Sequence, residues 1–394
     1  MCYAMPGRVT EISDGKVVVD YFGERRRVRN DFFKLAVGDY VYAQGGFIVQ
    51  RISAAEAEPV LTTWKEYFAQ LNKTDLRLAS TGEDLRARAN RVRREHTGNS
   101  SCVHGIIEFS NHCRADCLYC GLRSSNKSLK RYRMTPGEIV AAADYAIEKL
   151  GFKAIVLQSG EDAFFDGKTL SGIIARIMGK HPVLIVMSVG ERDYSDYEAM
   201  YSAGARGALI RFETSNPVIY EKLRPGRRQA ERLSLIKRLK SDGWIIMSGF
   251  IQGLPGQTEK DIAADIKLSE SLGVEMMSFG PLIPHPDTPL AAAPPADFEK
   301  ILDTIARARI MFPELRILVT TAAETLGGKE AARRALMAGA NSVMVNLTPP
   351  EYSGLYSLYP GRVPVAGSRG EAVAETVKML REMGRAPSDI GSTE

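Results

Sequence analysis

Three cysteines stand within eight residues of this chain, in the stretch HCRADCLYCG that runs from His112 to Gly121. Their C-x3-C-x2-C spacing puts three thiolates on one short loop, and thiolates are ligands of soft metals and of iron–sulfur clusters. Three thiolates hold three corners of a [4Fe–4S] cube and leave one iron open to a ligand from outside the protein. The alternative is a structural zinc site, which needs four ligands and has His104 and His112 available.

The composition limits the classes of protein to which the chain can belong. It has 394 residues, a net charge of +5 and five cysteines, at positions 2, 102, 113, 117 and 120. This odd and uneven set favours reduced thiols over a disulfide framework. An apolar run of about 18 residues and an amino-terminal signal pattern are both absent from the sequence, so we expect a cytoplasmic protein without a membrane partner. The mild charge argues against nucleic acid as a partner.

The elements that must position the cysteines form a regular alternation of strand and helix patterns after residue 105. Eight such units in about 240 residues predict an α/β fold, a (β/α)8 TIM barrel. The predicted strands lie near 106–110, 154–158, 183–187, 207–212, 244–250, 274–279, 316–320 and 341–345. Two capping boxes, Thr135 with Glu138 and Thr258 with Asp261, mark helix starts. Chemistry in such barrels collects at the carboxyl ends of the strands, where the cysteines follow the first strand.

A second, smaller domain is predicted at the amino terminus. Residues 1–58 contain short β-branched and aromatic runs separated by glycines, which predict a small all-β, OB-like barrel. The stretch 54–59 is interpreted as a connector, and 59–104 as a helical lead-in. The large barrel with a carboxyl-terminal helix would then occupy 105–394.

The cysteine motif on the loop after the first strand resembles the signature of radical S-adenosylmethionine (SAM) enzymes, with Tyr119 at the family's aromatic position. This resemblance implies that a [4Fe–4S] cluster binds and cleaves SAM to a 5′-deoxyadenosyl radical. Ser159, Gly160 and Glu161 match the family's glycine-containing motif beside the SAM amino group. Only one cluster is expected, because the carboxyl-terminal segment lacks the three further cysteines that some relatives carry.

A narrower resemblance is to the HydE family of [FeFe]-hydrogenase maturases, through "LQSGED", "IRFETSNP", "KLRP", "GPLIPHPDTPL" and "YPGRV". It implies that Glu213 binds the SAM ribose and Arg232 the SAM carboxylate, although the sequence alone favours an exposed helix position for Arg232. The implied substrate cavity is lined by Gln158, Ser159, Arg211, Met276, Thr320, Thr321, Tyr356 and Tyr359. The implied catalytic residues are Cys113, Cys117, Cys120, Arg211, Thr320, Thr321 and Tyr359. Independently of the resemblance, a strand-borne arginine such as Arg211 must find an anion or a carboxylate.

The resemblance also implies a role and partners. The radical would act on a cysteine-bound Fe(CO)2(CN) synthon from a partner radical SAM maturase, and a scaffold maturase or hydrogenase would receive the product. A ferredoxin or flavodoxin would supply electrons. Three alternatives stay open: another substrate, of the biotin synthase or methylornithine synthase kind; another hydrogenase cofactor; and a cluster scaffold without turnover.

The first residues, "MCYAMPGRV", resemble the HypC family of small β-barrel chaperones in [NiFe]-hydrogenase maturation. In that family the cysteine at position 2 helps to hold an Fe(CN)2(CO) unit, which implies that Cys2 is an iron ligand. A terminal amine beside a thiolate is a reasonable donor pair for iron.

Overall fold

The computed structural model describes residues 5–13, 16–79, 82–362, 368–388 and 392–393. Cys2 lies outside these ranges, so its predicted role as an iron ligand stays a prediction. The predicted small barrel is confirmed, with antiparallel pairing of β1 with β2 and β4, β2 with β3, and β4 with β5. Its strands are Pro6–Ser13 (β1), Lys16–Tyr21 (β2), Glu24–Arg29 (β3), Tyr40–Gln44 (β4) and Phe47–Ile52 (β5).

Residues 54–59, the predicted connector, form the first turns of helix α1, Ala54–Leu78. The Ser53 side chain and Glu56 form a reciprocal capping box, and this local pairing starts the helix before Pro59 is reached. Helix α1 packs its apolar side chains into the core of the small barrel: Trp64, Phe68 and Leu71. Helix α2, Leu85–Thr97, packs instead against a helix of the large barrel. The lead-in segment therefore divides between the two barrels.

The predicted eight-stranded parallel barrel is also confirmed, and it closes on itself. Its strands are Cys102–Ser110 (β6), Ala154–Ser159 (β7), Leu184–Ser188 (β8), Gly207–Leu209 (β9), Ile245–Ser248 (β10), Met276–Ser278 (β12), Arg316–Val319 (β14) and Ser342–Asn346 (β15). A short parallel pair, Ile251–Gln252 (β11) with Gly280–Pro281 (β13), continues two of them beyond the barrel. The predicted strand 244–250 breaks at Gly249, where a Cβ atom would stand 1.7 Å from the Ser278 carbonyl oxygen.

Helices cover the outside of this barrel, and both predicted capping boxes are present. The helices are Pro136–Asp144 (α3, continued by a π-helical turn to Lys149), Gly167–Met178 (α4), Tyr194–Ser202 (α5), Pro217–Leu223 (α6), Gln229–Ser241 (α7), Glu259–Ser271 (α8), Phe298–Met311 (α9), Thr321–Gly327 (α10), Ala331–Met337 (α11), Pro350–Ser353 (α12) and Arg369–Glu382 (α13). Strand β16, Ser392–Thr393, returns to pair with β3. No helix in the described ranges is long and apolar enough to cross a membrane.

The small barrel closes the amino end of the large one. Phe47 and Val49 of β5 enter the apolar layer inside the large barrel, which is built by Ile106, Val156, Val186, Met247, Met276 and Leu318. Polar contacts at the same end join Gln50 to Lys153 at 3.1 Å and Asp31 to Arg206 at 3.0 Å. Lys153 and Arg206 directly precede β7 and β9, so the small domain sits at the end of the large barrel where the strands begin.

Candidate active site

A polar layer lies directly above the apolar layer inside the large barrel. Leu209 and Met344 also pack against the apolar layer. Side chains two positions apart along a strand share a face, so polar residues two places beyond members of the layer also point inward: Glu108, Gln158, Ser188, Arg211, Ser278, Thr320 and Asn346. Four of them are connected by hydrogen bonds: Ser188 donates to Gln158 at 3.0 Å, and both Gln158 and Asn346 donate to Glu108, Asn346 at 3.1 Å. A cavity of about 290 Å³ opens above them at the carboxyl ends of the strands.

The three cysteines of the motif line this cavity together. The loop that carries them, here called the cluster loop, comprises residues 111–126. Arg131 holds the loop together, because its guanidinium donates to four backbone carbonyls: those of Asn111, Leu122, Arg123 and Asn126. Asp116 accepts from Arg123 at 2.9 Å and from Ser125, which closes the turn that carries the second and third cysteines. The sequence alone did not identify this support.

The thiols fit the chemistry of an iron–sulfur cluster. Burial raises the pKa of Cys113, and burial followed by the charges of Cys117 and Cys113 raises the pKa of Cys120. A positively charged metal centre is what keeps such buried sulfurs as thiolates. Backbone N–H groups of Ala115 and Glu161 point at the Cys113 sulfur, a feature of cluster ligands. A [4Fe–4S] cluster would be held here by Cys113, Cys117 and Cys120.

The histidines of the zinc alternative lie elsewhere. His104 is buried near the amino end of β6, beside Cys102, which accepts from Gln44 of the small barrel at 3.2 Å. His112 lines a separate groove on the outer side of the cluster loop. His285 packs on the cluster loop at Gly121 and its Nε2 lies 3.2 Å from the Ser357 hydroxyl. His104 is therefore placed at the opposite end of the strand from the three thiols.

All six residues predicted to bind SAM line the cavity: Tyr119, Ser159, Gly160, Glu161, Glu213 and Arg232. Gly160 makes this possible, because a Cβ atom there would lie 2.2 Å from the His112 carbonyl oxygen and 2.8 Å from the Cys113 Cβ. The loops after β6 and β7 therefore touch backbone to backbone. The binding roles of these residues remain predictions.

Glu213 has an unusual backbone. Its φ of 69° lies in the left-handed region, which costs a non-glycine residue about 1–3 kcal/mol. Hydrogen bonds from the Glu213 N–H to Gly249 and from Ile251 to the Glu213 carbonyl oxygen hold this conformation. The carboxylate lies 3.2 Å from the Arg211 guanidinium, which confirms the expectation that Arg211 finds a carboxylate. The strain thus places the Glu213 side chain in the cavity wall.

A charge network stands beside the SAM residues and was mostly missed from the sequence. Arg227 donates to Glu161 at 2.6 Å, Arg232 donates to Glu191 at 2.6 Å, and Arg224 lies within 3.5 Å of both carboxylates. Burial alone would raise the pKa of Glu191, but Arg232, Arg224 and Arg227 outweigh burial and lower it. Guanidiniums outnumber carboxylates in this network, so it carries an excess of positive charge, which suits an anionic ligand group.

Arg232 is only 5% exposed, so the exposed position that the sequence alone favoured for it is wrong. It belongs to helix α7 but turns inward, where it also donates to the Arg211 carbonyl oxygen at 3.0 Å. Two signals in the sequence could have located the residues that were missed. Glu191 follows β8, at the strand ends where barrel chemistry collects, and Arg224 stands in the "KLRP" motif.

The predicted substrate residues fall into three groups. Gln158, Ser159, Arg211, Tyr356 and Tyr359 line the cavity. Thr320 and Thr321 stand at its edge: the Thr320 hydroxyl would meet a Cβ on the cavity residue Gly280 at 3.3 Å, and the Thr321 hydroxyl lies 2.7 Å from the Tyr359 hydroxyl. Met276 is not among the residues that line the cavity; it lies in the apolar layer, two residues before Ser278.

An ion pair that the sequence did not suggest fastens the wall that carries the tyrosines. Arg362 forms a double hydrogen bond to the buried Glu108 and donates to the Tyr356 carbonyl oxygen at 2.8 Å. Gln158 and Asn346 also contact Glu108. The carboxylate at the centre of the polar layer therefore positions both the floor and one wall of the cavity.

Comparisons with known proteins agree with this architecture. The model of the radical SAM superfamily matches residues 107–269, that of the HupF/HypC family matches 1–64, and that of the Biotin and Thiamin Synthesis associated domain matches 278–386. The [FeFe] hydrogenase maturase subunit HydE of Thermotoga maritima is 42% identical over 327 residues, which cover 82% of this chain and 92% of the relative.

Two solved structures share the fold. Methylornithine synthase (PylB) superposes with a TM-score of 0.69 at 25% identity, over 81% of this chain and 93% of that chain. The maturase HydG from Carboxydothermus hydrogenoformans gives a TM-score of 0.64 at 23% identity, over 82% and 80%. The latter likeness concerns the fold alone. On the strength of its relative, its superfamily match and its cysteine-lined cavity, the chain belongs to the HydE family of radical SAM [FeFe] hydrogenase maturases and carries a HupF/HypC-type domain at its amino end.

Proposed function

We propose that this radical SAM enzyme cleaves SAM reductively and directs the resulting radical at a cysteine-bound Fe(CO)2(CN) synthon, to build the precursor of the diiron subcluster of the H-cluster. One observation carries the proposal: the three thiols, the SAM residues and a polar floor with an arginine line a single cavity. A radical generated beside the thiols would meet a substrate on that floor before it could reach solvent.

The residues of the chain divide the work. Cys113, Cys117 and Cys120 would hold a [4Fe–4S] cluster, which when bound would supply the electron that cleaves SAM. Arg232 and its charge network attract the SAM carboxylate, since a guanidinium makes paired hydrogen bonds to an oxyanion. Glu213 accepts from the ribose hydroxyls. The acceptor and donor positions are set in advance by ion pairs, so little reorganisation is needed when SAM binds.

The deeper part of the cavity suits an anionic complex with cyanide and carbonyl ligands. Arg211, beside its partner Glu213, supplies guanidinium N–H donors, and the paired hydroxyls of Thr321 and Tyr359 supply neutral donors. Burial raises the pKa of Tyr359 and Tyr356, so both stay protonated donors at neutral pH. The apolar layer below excludes water from the amino end.

The proposed reaction has three partners in a cytoplasmic setting. A partner radical SAM maturase would supply the synthon, a scaffold maturase or the hydrogenase would accept the product, and a ferredoxin or flavodoxin would supply the electron.

The test uses anaerobically reconstituted protein with SAM, dithionite and synthetic cysteine-bound Fe(CO)2(CN). We expect 5′-deoxyadenosine in an amount that depends on the complex, and none from the Cys117→Ala variant. The complex should be consumed in parallel. If wild-type protein with an intact cluster forms no 5′-deoxyadenosine, the scaffold alternative replaces the enzyme proposal.

A second candidate is a rearrangement of an amino acid, favoured by the superposition on methylornithine synthase. It is separated from the first by incubating the same protein with amino acids in place of the iron complex. Turnover with an amino acid and none with the complex would select the second candidate.

We further propose that the small domain handles an iron–cyanide fragment through Cys2. The domain packs on the amino end of the large barrel, opposite the cavity, so we expect it to exchange that fragment with another protein and not with its own cavity. Unchanged iron-carbonyl binding and hydrogenase maturation by the Cys2→Ala variant would refute this role.

A further inference from the structure

A basic groove runs along the outer side of the cluster loop, on the far side of the thiols from the SAM cavity. It has a volume of about 440 Å³, and its lining includes Cys113, Arg114, Lys127, Arg131 and Arg133. Cys113 also lines the SAM cavity. One ligand of the cluster therefore separates the groove from the reaction chamber, and the groove is a short route to the cluster that does not cross the substrate site.

The charges of this groove are arranged with the cations outward. The side chains of Arg114 and Arg133 are 53% and 36% exposed, whereas their partners Glu161 and Asp162 are 6% and 2% exposed. Lys127 is exposed and bonds to the neutral Ser124 carbonyl oxygen. A partner protein that approaches the groove thus meets positive charge first, with the balancing carboxylates behind it.

The sequence of the same segment shows the bias independently. Between Asp116 and Glu138 the chain carries five cationic residues and no carboxylate: Arg123, Lys127, Lys130, Arg131 and Arg133. The four hydrogen bonds from Arg131 to the cluster loop all go to neutral backbone carbonyls. These bonds satisfy the N–H donors of Arg131 and do not cancel its charge. The segment is also the one that folds over the thiols, so the positive surface and the cluster are fixed to each other.

We infer that this groove is the docking surface for an acidic one-electron carrier protein. The inference rests on the proposed function, because it names the partner that reduces the cluster. One electron passes from the reduced carrier to the cluster across the Cys113 edge; the carrier is oxidised, the cluster is reduced, and no bond or proton changes hands. Charge complementarity of this kind steers encounter and makes the rate depend on ionic strength.

The test compares two double charge reversals with the same change in net charge. Lys127→Glu/Lys130→Glu alters the groove, and Lys65→Glu/Lys73→Glu alters exposed positions on α1 at the other end of the molecule. The probe is an acidic flavodoxin. Its reduced form is mixed with the cluster-loaded full chain in stopped flow, and the affinity of its oxidised form for the chain is measured by calorimetry.

We expect the groove variant to lose at least about tenfold in the second-order reduction rate at low salt, to lose most of its salt dependence, and to bind oxidised flavodoxin more weakly. The α1 variant should match wild type, and dithionite should reduce all three proteins alike. A groove variant that binds and is reduced like wild type, or an equal loss in both variants, overturns the inference. Failure of the proposed function would instead show as wild-type protein that dithionite reduces without cleavage of SAM.

Discussion

Gly160 determines how closely the loops after β6 and β7 approach each other. Any side chain there would displace the His112 carbonyl and the Cys113 Cβ, because the shorter of the two contacts would be 2.2 Å. We therefore expect Gly160→Ala to push the cluster loop outward. Because a metal site depends on ligands held in place by their surroundings, the reconstituted variant should retain less than about half of the wild-type iron. Iron content and the absorption of the reconstituted protein measure this.

The matched control is Gly172→Ala. Gly172 lies within helix α4, and a Cβ atom there would meet nothing within 4 Å. The alanine should leave iron content unchanged. Equal iron in both variants and in wild type would show that the contact between the two loops does not position the thiols.

Single residues divide clearly into those that sequence reasoning located and those that it missed. The three cysteines were found because their chemistry depends on local spacing. Glu191 and Arg224 were missed because their partners come from distant loops, and Arg232 was misplaced on the surface because helix α7 shows little amphipathic pattern around it. The left-handed φ of Glu213 has no signal in residue type, since glycine and not glutamate marks such positions.

At the scale of elements, a buried group of one aspartate and three arginines joins the ends of several helices. Asp75 of α1 accepts two hydrogen bonds from Arg93 of α2 and lies 3.2 Å from Arg385. Arg309 of α9 lies nearby, and burial lowers the pKa of Arg309 and of Arg385 to about 9. The three arginines also bind carbonyls at or just beyond helix carboxyl ends, where the helix dipole favours cations: Gly98, Pro313 and Leu336.

Asp75→Asn should destabilise the protein by about 3–5 kcal/mol, because it leaves buried guanidiniums without their carboxylate. Asp303→Asn is the control. It breaks a pair with Arg86 at 2.8 Å in which the Asp303 side chain is 40% exposed, and such pairs contribute about 1 kcal/mol or less. Chemical unfolding of both variants measures the difference. Similar losses in the two variants would mean that the helix carbonyls alone hold the arginines.

Asp265 of α8 predicts a pH dependence. Its buried carboxylate accepts from the backbone N–H of Ser215 and from Gln257, and burial raises its pKa to about 6 from an ordinary 3.8. Between these values the folded state binds more protons than the unfolded state, so this group's contribution to stability falls as pH rises. From about pH 5 to about pH 7.5 the loss amounts to about 1.4 kcal/mol.

We therefore expect Asp265→Asn to gain stability relative to wild type over that interval, as followed by thermal unfolding. Asp261→Asn is the control from the same helix. Hydrogen bonds from Thr258 and Asn216 lower the pKa of Asp261 below 3.8, so its contribution is complete above that value and is lost only in stronger acid. Its difference from wild type should change much less over the interval, and that change reflects only the Asp261 charge, which adds to the burial that raises the pKa of Asp265. A constant difference from wild type for Asp265→Asn would show that its pKa is not raised.

Helices and strands were predictable from the sequence where a single repeating pattern of apolar and polar residues runs through them. Alternation of strand and helix gave all eight barrel strands, and capping residues gave two helix starts. The break at Gly249 was not predictable, because it depends on the carbonyl of a neighbouring strand. Met276 illustrates the same limit: its strand and inward face follow from the pattern, but its depth in the barrel depends on the register among strands.

The whole molecule has two ends with different properties. Ion pairs and the polar layer surround a cavity at the carboxyl ends of the strands, and the small domain fills the amino end with apolar side chains. Sequence analysis gave both domains but not their arrangement. The contacts that fix it join residues far apart in the chain: Arg29 of β3, for example, donates to the Gly243 carbonyl oxygen at 2.5 Å, across 214 positions.

Because the two barrels share an apolar layer, we expect them to unfold together. Phe47 is 1% exposed and packs against large-barrel residues. Phe47→Ala should therefore lower the free energy of unfolding by about 3–5 kcal/mol, and it should lower the midpoint temperature of a single calorimetric transition. Val37→Ala is the control in the same domain, at a position that is 66% exposed. It should change the free energy of unfolding by about 0.5 kcal/mol or less. Two separate transitions in wild type, with only the smaller one moved by Phe47→Ala, would show that the small domain folds independently and is free to leave the amino end of the large barrel.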